Sequence, residues 1–265
     1  MAKNFPGVFT AQKKDGSTYY RSSITHKQKH ISLGSYDSAP KAYAAYLEAT
    51  SLLSDPSLSL DDHSDNRALS FHKWVCLLNF RDNNIYFSTP IYMYKNFFEY
   101  MLSPETVLKF DFDDLFYYSS HKIMQRGRHF FVADYGMQVN IMNRYGIKNY
   151  AVPGRDFRFV NGDDLDFRYE NIEIINTYHG VTRKETKYGL RFVAKIHING
   201  NYTIGTYETD TEAAIAYNKA IDILKKAGVT KNFTPNYLEA LSPSAYADIY
   251  SKLKISSKIT HYRRV

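Results

Sequence analysis

Between Arg191 and Ile198 the chain alternates, with Phe192, Ala194, Ile196 and Ile198 in one set and Arg191, Val193, Lys195 and His197 in the other. A two-residue period puts successive side chains on opposite faces of a strand, so this stretch predicts a strand with one apolar and one largely basic face. Asn199 and Gly200 follow, a pair suited to a tight hairpin because both tolerate positive φ. The period then changes. Ala213, Ala216, Tyr217, Ala220, Ile223, Leu224 and Ala227 recur at helical spacing, behind Thr209 and Glu212 at capping-box distance and ahead of Gly228 as a stop. Three short strands and one helix are expected, with small alanines letting the helix lie close on one sheet face while the other stays open to a partner.

The same pattern occurs earlier in the chain. Gly7 and Val8 match Gly180 and Val181, Gly16 matches Gly189, and "LGSY" (33–36) matches "IGTY" (204–207) after two single-residue length differences. Tyr46, Ala49 and Leu53 then fall in register with Tyr217, Ala220 and Leu224, while Ser38 takes the cap position, Pro40 the first turn, and Ala42, Ala45, Tyr46, Ala49, Leu52 and Leu53 the apolar stripe. The chain therefore reads as α+β. Residues 1–53 form a first sheet-plus-helix module and 54–70, rich in Ser and Asp, a flexible connector. Residues 71–177 form an aromatic-rich middle domain, 178–228 the second module, and 229–265 a helix with a basic tail. The Tyr and Phe of the middle domain read as core and interface rather than base-stacking platforms, with a hairpin expected at Gln125–Arg128 and Arg126 and Arg128 at its tip. Asp111, Asp113 and Asp114 read as a solvated turn.

Composition narrows the function classes. An apolar content of 44% with 16% aromatics over 265 residues supports packed cores rather than disorder. No apolar run reaches the roughly 20 residues of a membrane helix and the first residues lack a secretory apolar stretch, so a cytoplasmic protein without membrane contact is expected. The single cysteine, Cys76, sits in an apolar run, which excludes a disulfide framework and a cysteine metal site and marks a core thiol. The net charge is +7, and Lys252, Lys254, Lys258, Arg263 and Arg264 lie in the last 14 positions with no acid among them. Such a tail suits a polyanion, and equally a solvated basic end.

Both copies, through Gly-Val, the aromatic-Ala-x-Ile strand, the Gly-x-aromatic turn and the Ala-rich helix, resemble the Apetala-two/ethylene-response-factor DNA-binding domain. In that family the open sheet face enters the major groove. Carried over by position, the resemblance implies DNA contacts from Lys184, Arg191, Lys195, His197 and Thr203 in the second copy, with Arg183 and Lys187 on the backbone. In the first copy it implies the less basic set Tyr19, Arg21, Ser23 and Thr25, with Lys13, Lys14, His30 and Ser32 nearby. The family's tryptophans and most of its strand arginines are absent, so no target sequence is implied.

The stretch "FRFVNGDDLDFRYEN" (157–171), placed before the second copy, is similar to HNH homing endonucleases that carry this domain at their C-terminus. That resemblance implies a ββα unit whose metal-binding Asp falls on Arg158 and whose general-base His falls on Phe159. Phenylalanine has no titratable group, and an arginine sets a fixed positive charge where a cation must bind. Asn171 remains at a ligand position, and Asn143 precedes Arg144 where many relatives place a further His. Asp156 or Asp163 could replace the missing ligand, but His129 and His179 lack the spacing to restore the base. Asn161, Gly162, Asp166, Arg168 and Asn171 then read as a turn, a helix start and local hydrogen bonds, and Arg158 as a phosphate grip. The expectation is a sequence-specific double-stranded DNA-binding protein, a transcriptional regulator descended from a homing endonuclease, with no catalytic residue, metal or cofactor. The alternatives are an active nuclease with a rearranged metal site, and a protein-interaction module with secondary DNA binding.

Overall fold

The computed structural model describes residues 5–262. The chain separates into two compact units, Met1–Asn140 with Asp163–Tyr169, and Ile141–Gly162 with Glu170–Val265. Its class is α+β, built from small antiparallel sheets and a few helices. No helix among the described residues is long and apolar enough to cross a membrane.

The first unit opens with strands β1 (Val8–Gln12), β2 (Thr18–His26) and β3 (Lys29–Tyr36) in an antiparallel sheet. Helix α1 (Ala39–Ser54) covers one face, bringing Ala42, Ala45, Ala49 and Leu52 to complete burial. Pro40 lies in its first turn as the sequence predicts, whereas the side chain of Ser38 makes no capping bond. The next helix, α2 (Phe71–Asn83), brings Trp74, Leu77, Leu78 and Phe80 into one core with Ile31, Leu33, Ala45 and Leu52.

The segment 54–70, expected to be a flexible connector, is pinned instead. Arg81 donates to the carbonyls of Leu52, Asp55 and Leu58 at 3.1, 2.7 and 2.9 Å, and the Trp74 indole donates to that of Ser59 at 2.9 Å. The Ser and Asp that suggested mobility close local turns: Asp55 accepts from Ser57, and Ser59 with Asp62 forms a capping box.

Strands β4 (Ile91–Met93), β5 (Phe97–Ser103) and β6 (Thr106–Asp111) form the next sheet, followed by α3 (Leu115–Ser120) and the sheet β7 (Ile123–Arg126), β8 (His129–Asp134) and β9 (Met137–Asn140). Phe98, Tyr100, Phe110 and Tyr118 are wholly buried, and Phe167 stacks on Phe110 at 5.5 Å between centroids, so the aromatic density is core. Arg126 ends β7 and Arg128 lies within the β7–β8 turn, and both are exposed. The acidic cluster is not a solvated turn throughout, because Asp114 is buried and Asp111 accepts from the Tyr169 N–H at 2.7 Å.

In the second unit, β10 (Phe157–Phe159) pairs with β11 (Ile172–Ile174), and β12 (Val181–Thr186), β13 (Gly189–His197) and β14 (Asn201–Tyr207) form a sheet covered by α4 (Asp210–Lys226). The Thr209–Glu212 capping box is formed, and Gly228 beyond the helix takes φ +84°. Helices α5 (Pro243–Lys252) and α6 (Ser257–Thr260) complete the unit, with Ile259 fully buried in the core that includes Ile204 and Leu224. The β13–β14 turn departs from expectation: neither Asn199 nor Gly200 has positive φ. The two-residue turn that demands it lies in the first copy, at Lys27 (44°) and Gln28 (64°), and the longer turn of the second copy closes without that conformation.

Candidate nucleic-acid interface

Two glycines set the geometry of the repeated sheets. Gly7 and Gly180 take φ +71° and +73°, each with its α-carbon against the ring of Tyr46 or Tyr217, so that an added Cβ would stand 2.2 or 2.4 Å from a ring carbon. Their carbonyls accept from the Ser23 and Lys195 N–H groups at 2.9 and 2.7 Å. In both sheets the register shifts at this rung, between Ser22 and Ser23 and between Ala194 and Lys195. The Gly-Val and Tyr matches between the copies are thus one packing device that fixes a β-bulge.

Past the bulge, Ala194 and Ile196 face α4 and are buried while Lys195 and His197 face outward and are exposed. Lys184 pairs with Arg191, and Lys195 with Thr203, so the outer face of β12–β14 presents Lys184, Arg191, Lys195, His197 and Thr203 around a single apolar Val193. Arg191 lies 3.6 Å from the exposed carboxylate of Glu208, and His197 Nδ1 is 3.0 Å from Asn201 Oδ1. Arg183 belongs to the opposite parity, paired with Phe192 and 4.0 Å from Glu185. Lys187 sits over the exposed Tyr188 ring at 4.8 Å, in the β12–β13 turn.

The first sheet carries different chemistry on the same rungs. Ala11–Tyr19 replaces Lys184–Arg191, Ser23–Ser32 replaces Lys195–Thr203, and Thr25–His30 replaces His197–Asn201, with Arg21 where the second copy has Val193. Ser23, expected on the open face, is buried at the bulge. Lys13 and Lys14 stand in the exposed β1–β2 turn, Arg21 and Thr25 are exposed, and Tyr19 is half-buried.

The stretch 157–171 does not form strand, turn and helix. β10 pairs with β11 across the intervening residues 160–171, which hold a single 3-10 turn at Tyr169–Asn171 in place of the expected helix. Asn171, which the HNH resemblance would make a ligand, is 3% exposed, and its side-chain oxygen accepts from the Asn161 N–H at 2.8 Å. Asp156 is also committed, accepting from the Val152 N–H, from Arg155 at 2.6 Å and from Asn176. Arg158 is exposed and pairs with Glu173 on the neighbouring strand at 2.7 Å, much as Arg191 lies near Glu208.

Sequence comparison also missed a second half of each repeat. After the helix the chain returns past the sheet, and the tyrosine ending the third strand binds it: Tyr36 donates to the Ala68 carbonyl at 3.1 Å and Tyr207 to that of Lys254 at 3.0 Å. Glu48 on α1 accepts from the Ala68 and Leu69 N–H groups, while Lys219, at the equivalent position of α4, donates to the Tyr250 and Leu253 carbonyls. Opposite charges perform one task because the backbone offers both donors and acceptors. Comparison with family models, curated proteins and solved structures returned no match to this chain.

Proposed function

We propose that the chain is a sequence-specific, non-catalytic double-stranded DNA-binding protein acting as a regulator, with the outer face of β12–β14 as its reading surface. One observation carries this reading: four cationic or donor side chains, Lys184, Arg191, Lys195 and His197, share one exposed sheet face opposite the helix. Alternate strand residues advance by roughly 6.7 Å, close to two base-pair steps of about 3.4 Å, so successive outward side chains can meet successive pairs of steps. Arginine suits guanine edges and lysine suits guanine or phosphate. The first sheet supports a weaker contact through Arg21 on β2 and through Lys13 and Lys14 in the β1–β2 turn. Phe159 in the general-base position and the buried, hydrogen-bonded Asn171 support a reading without phosphodiester hydrolysis.

The test is selection of bound duplexes from a random pool by the full chain, followed by Arg191→Ala and Lys195→Ala on the selected site. A base-reading residue should cost about 1–3 kcal/mol on that site and little on a scrambled duplex. Failure to enrich any sequence, or an unchanged affinity of both variants, overturns the assignment.

A further inference from the structure

The three basic residues of the last described segment do not behave alike. Lys252 is held by Asp248 on its own helix at 2.7 Å, whereas Lys254 and Lys258 are exposed and make no ion pair among the described residues. Neither lies on a loose tail. Tyr207 holds the Lys254 carbonyl, Lys219 holds those of Tyr250 and Leu253, and the Ser256 N–H donates to the Ile204 carbonyl on β14 at 2.7 Å. Ile255 and Ile259 anchor the segment in the core beneath. Asn201, Thr203, Lys254, Ser256 and Lys258 line a shallow groove of about 600 Å³ along this edge. Thr203 is the rung partner of Lys195, so the groove continues the basic outer face around the third strand.

We infer that Lys254 and Lys258 form a phosphate clamp along the β14 edge, gripping the DNA backbone beside the groove that the sheet face reads. This rests on the DNA-binding reading above and adds residues from outside the sheet. The first copy provides an internal comparison. Its returning segment is held by Tyr36 at Ala68, follows with the buried Leu69, and starts a helix at Ser70, as Lys254, Ile255 and Ser256 do in the second copy. Ala68 and His72 thus occupy the places of Lys254 and Lys258. Lysines at these two positions accompany the more basic sheet face and are absent where that face is less basic, although both segments perform the same packing task. Lysine is suited to this role because it meets phosphate as a point charge without base preference, and an anchored backbone limits the ordering needed on binding.

The experiment compares the full wild-type chain with Lys254→Gln/Lys258→Gln and with Lys225→Gln/Lys226→Gln, which removes the same charge from the end of the helix on the sheet's other side. Dissociation constants are measured on the selected and on a scrambled duplex from 0.05 to 0.5 M NaCl. Two lost phosphate contacts should make the slope of log K against log salt shallower by about 1.8, equivalent to a loss of up to roughly 60-fold at 0.1 M. The loss should be the same on both duplexes, with melting temperature unchanged. The helix variant should keep the wild-type slope. An unchanged slope in the Lys254/Lys258 variant, or an equal change in the helix variant, refutes the clamp while leaving DNA binding intact. A wild-type chain that retains neither duplex refutes the DNA-binding reading and the clamp with it.

Discussion

Gly180→Ala should damage both the stability of the second unit and the aim of its reading face. At φ +73° an L-residue is strained by about 1–2 kcal/mol. The new Cβ would also stand 2.4 Å from the Tyr217 ring and 2.6 Å from the Lys195 carbonyl, and the second contact is with backbone that cannot rotate away. Overpacking of this kind costs about 1–3 kcal/mol, and the reduced freedom of the unfolded chain returns about 0.4–1 kcal/mol. The net expectation is a loss of about 1–4.6 kcal/mol, centred on roughly 3. Two other glycines separate the causes. Gly189 has φ +100° with open space around it, so Gly189→Ala should cost only the conformational part, about 1 kcal/mol. Gly200 has neither positive φ nor a neighbour within 4 Å, so Gly200→Ala should stay within about 0.5 kcal/mol of wild type. Urea unfolding of the three variants gives the ladder directly. Because the Gly180 carbonyl receives the Lys195 N–H at the bulge, Gly180→Ala should also weaken binding of the selected duplex under conditions where it remains folded. If Gly180→Ala proves no worse than Gly189→Ala, the packing account of the repeat is wrong.

Acid should destabilise the chain through His179 and His26. Burial holds both imidazoles below the ordinary value of 6.5, helped by Arg155 for His179 and by Lys27 for His26. The unfolded chain therefore binds more protons, so stability is full above pH 6.5 and falls as pH drops through and below it. Urea midpoints at pH 7.5, 6.0 and 5.0 should decline, and His179→Phe, which keeps a ring between Tyr150 and Tyr217, should flatten the profile of the second unit; an identical slope in the variant would exclude His179 as a source. In cleavage assays the chain should leave the selected duplex intact with Mg²⁺ or Mn²⁺. Nicking that scales with protein and stops with EDTA would overturn the non-catalytic reading.

What could be read in the sequence divides by what each residue touches. The glycines, tyrosines and alanines that exposed the repeat touch one another across a sheet–helix contact in which neither partner can change alone. The alternation around Lys195 was likewise legible, because burial on one strand face forces a period of two. The returning segments were hidden for the opposite reason: Glu48 and Lys219 satisfy backbone groups of opposite polarity, so equivalent positions look unrelated. Composition misled at 54–70, where Ser and Asp serve caps and short turns rather than solvation. The partners of Arg158 and Arg191 were also invisible, since Glu173 reaches one across a strand pair and Glu208 approaches the other from beyond the last strand. The same contrast bears on function. The two sheets keep the same bulge, glycine carbonyl and tyrosine clasp, yet at the rungs Ala11–Tyr19 and Lys184–Arg191, and again at Thr25 and His197, their outward residues differ. Inner positions change as well, with Ser22 at the rung of Ala194 and Glu48 at the place of Lys219, but the change from Ala11–Tyr19 to Lys184–Arg191 alters the charge of an exposed face, and on the DNA-binding reading it suits the second sheet to the more strongly anionic surroundings.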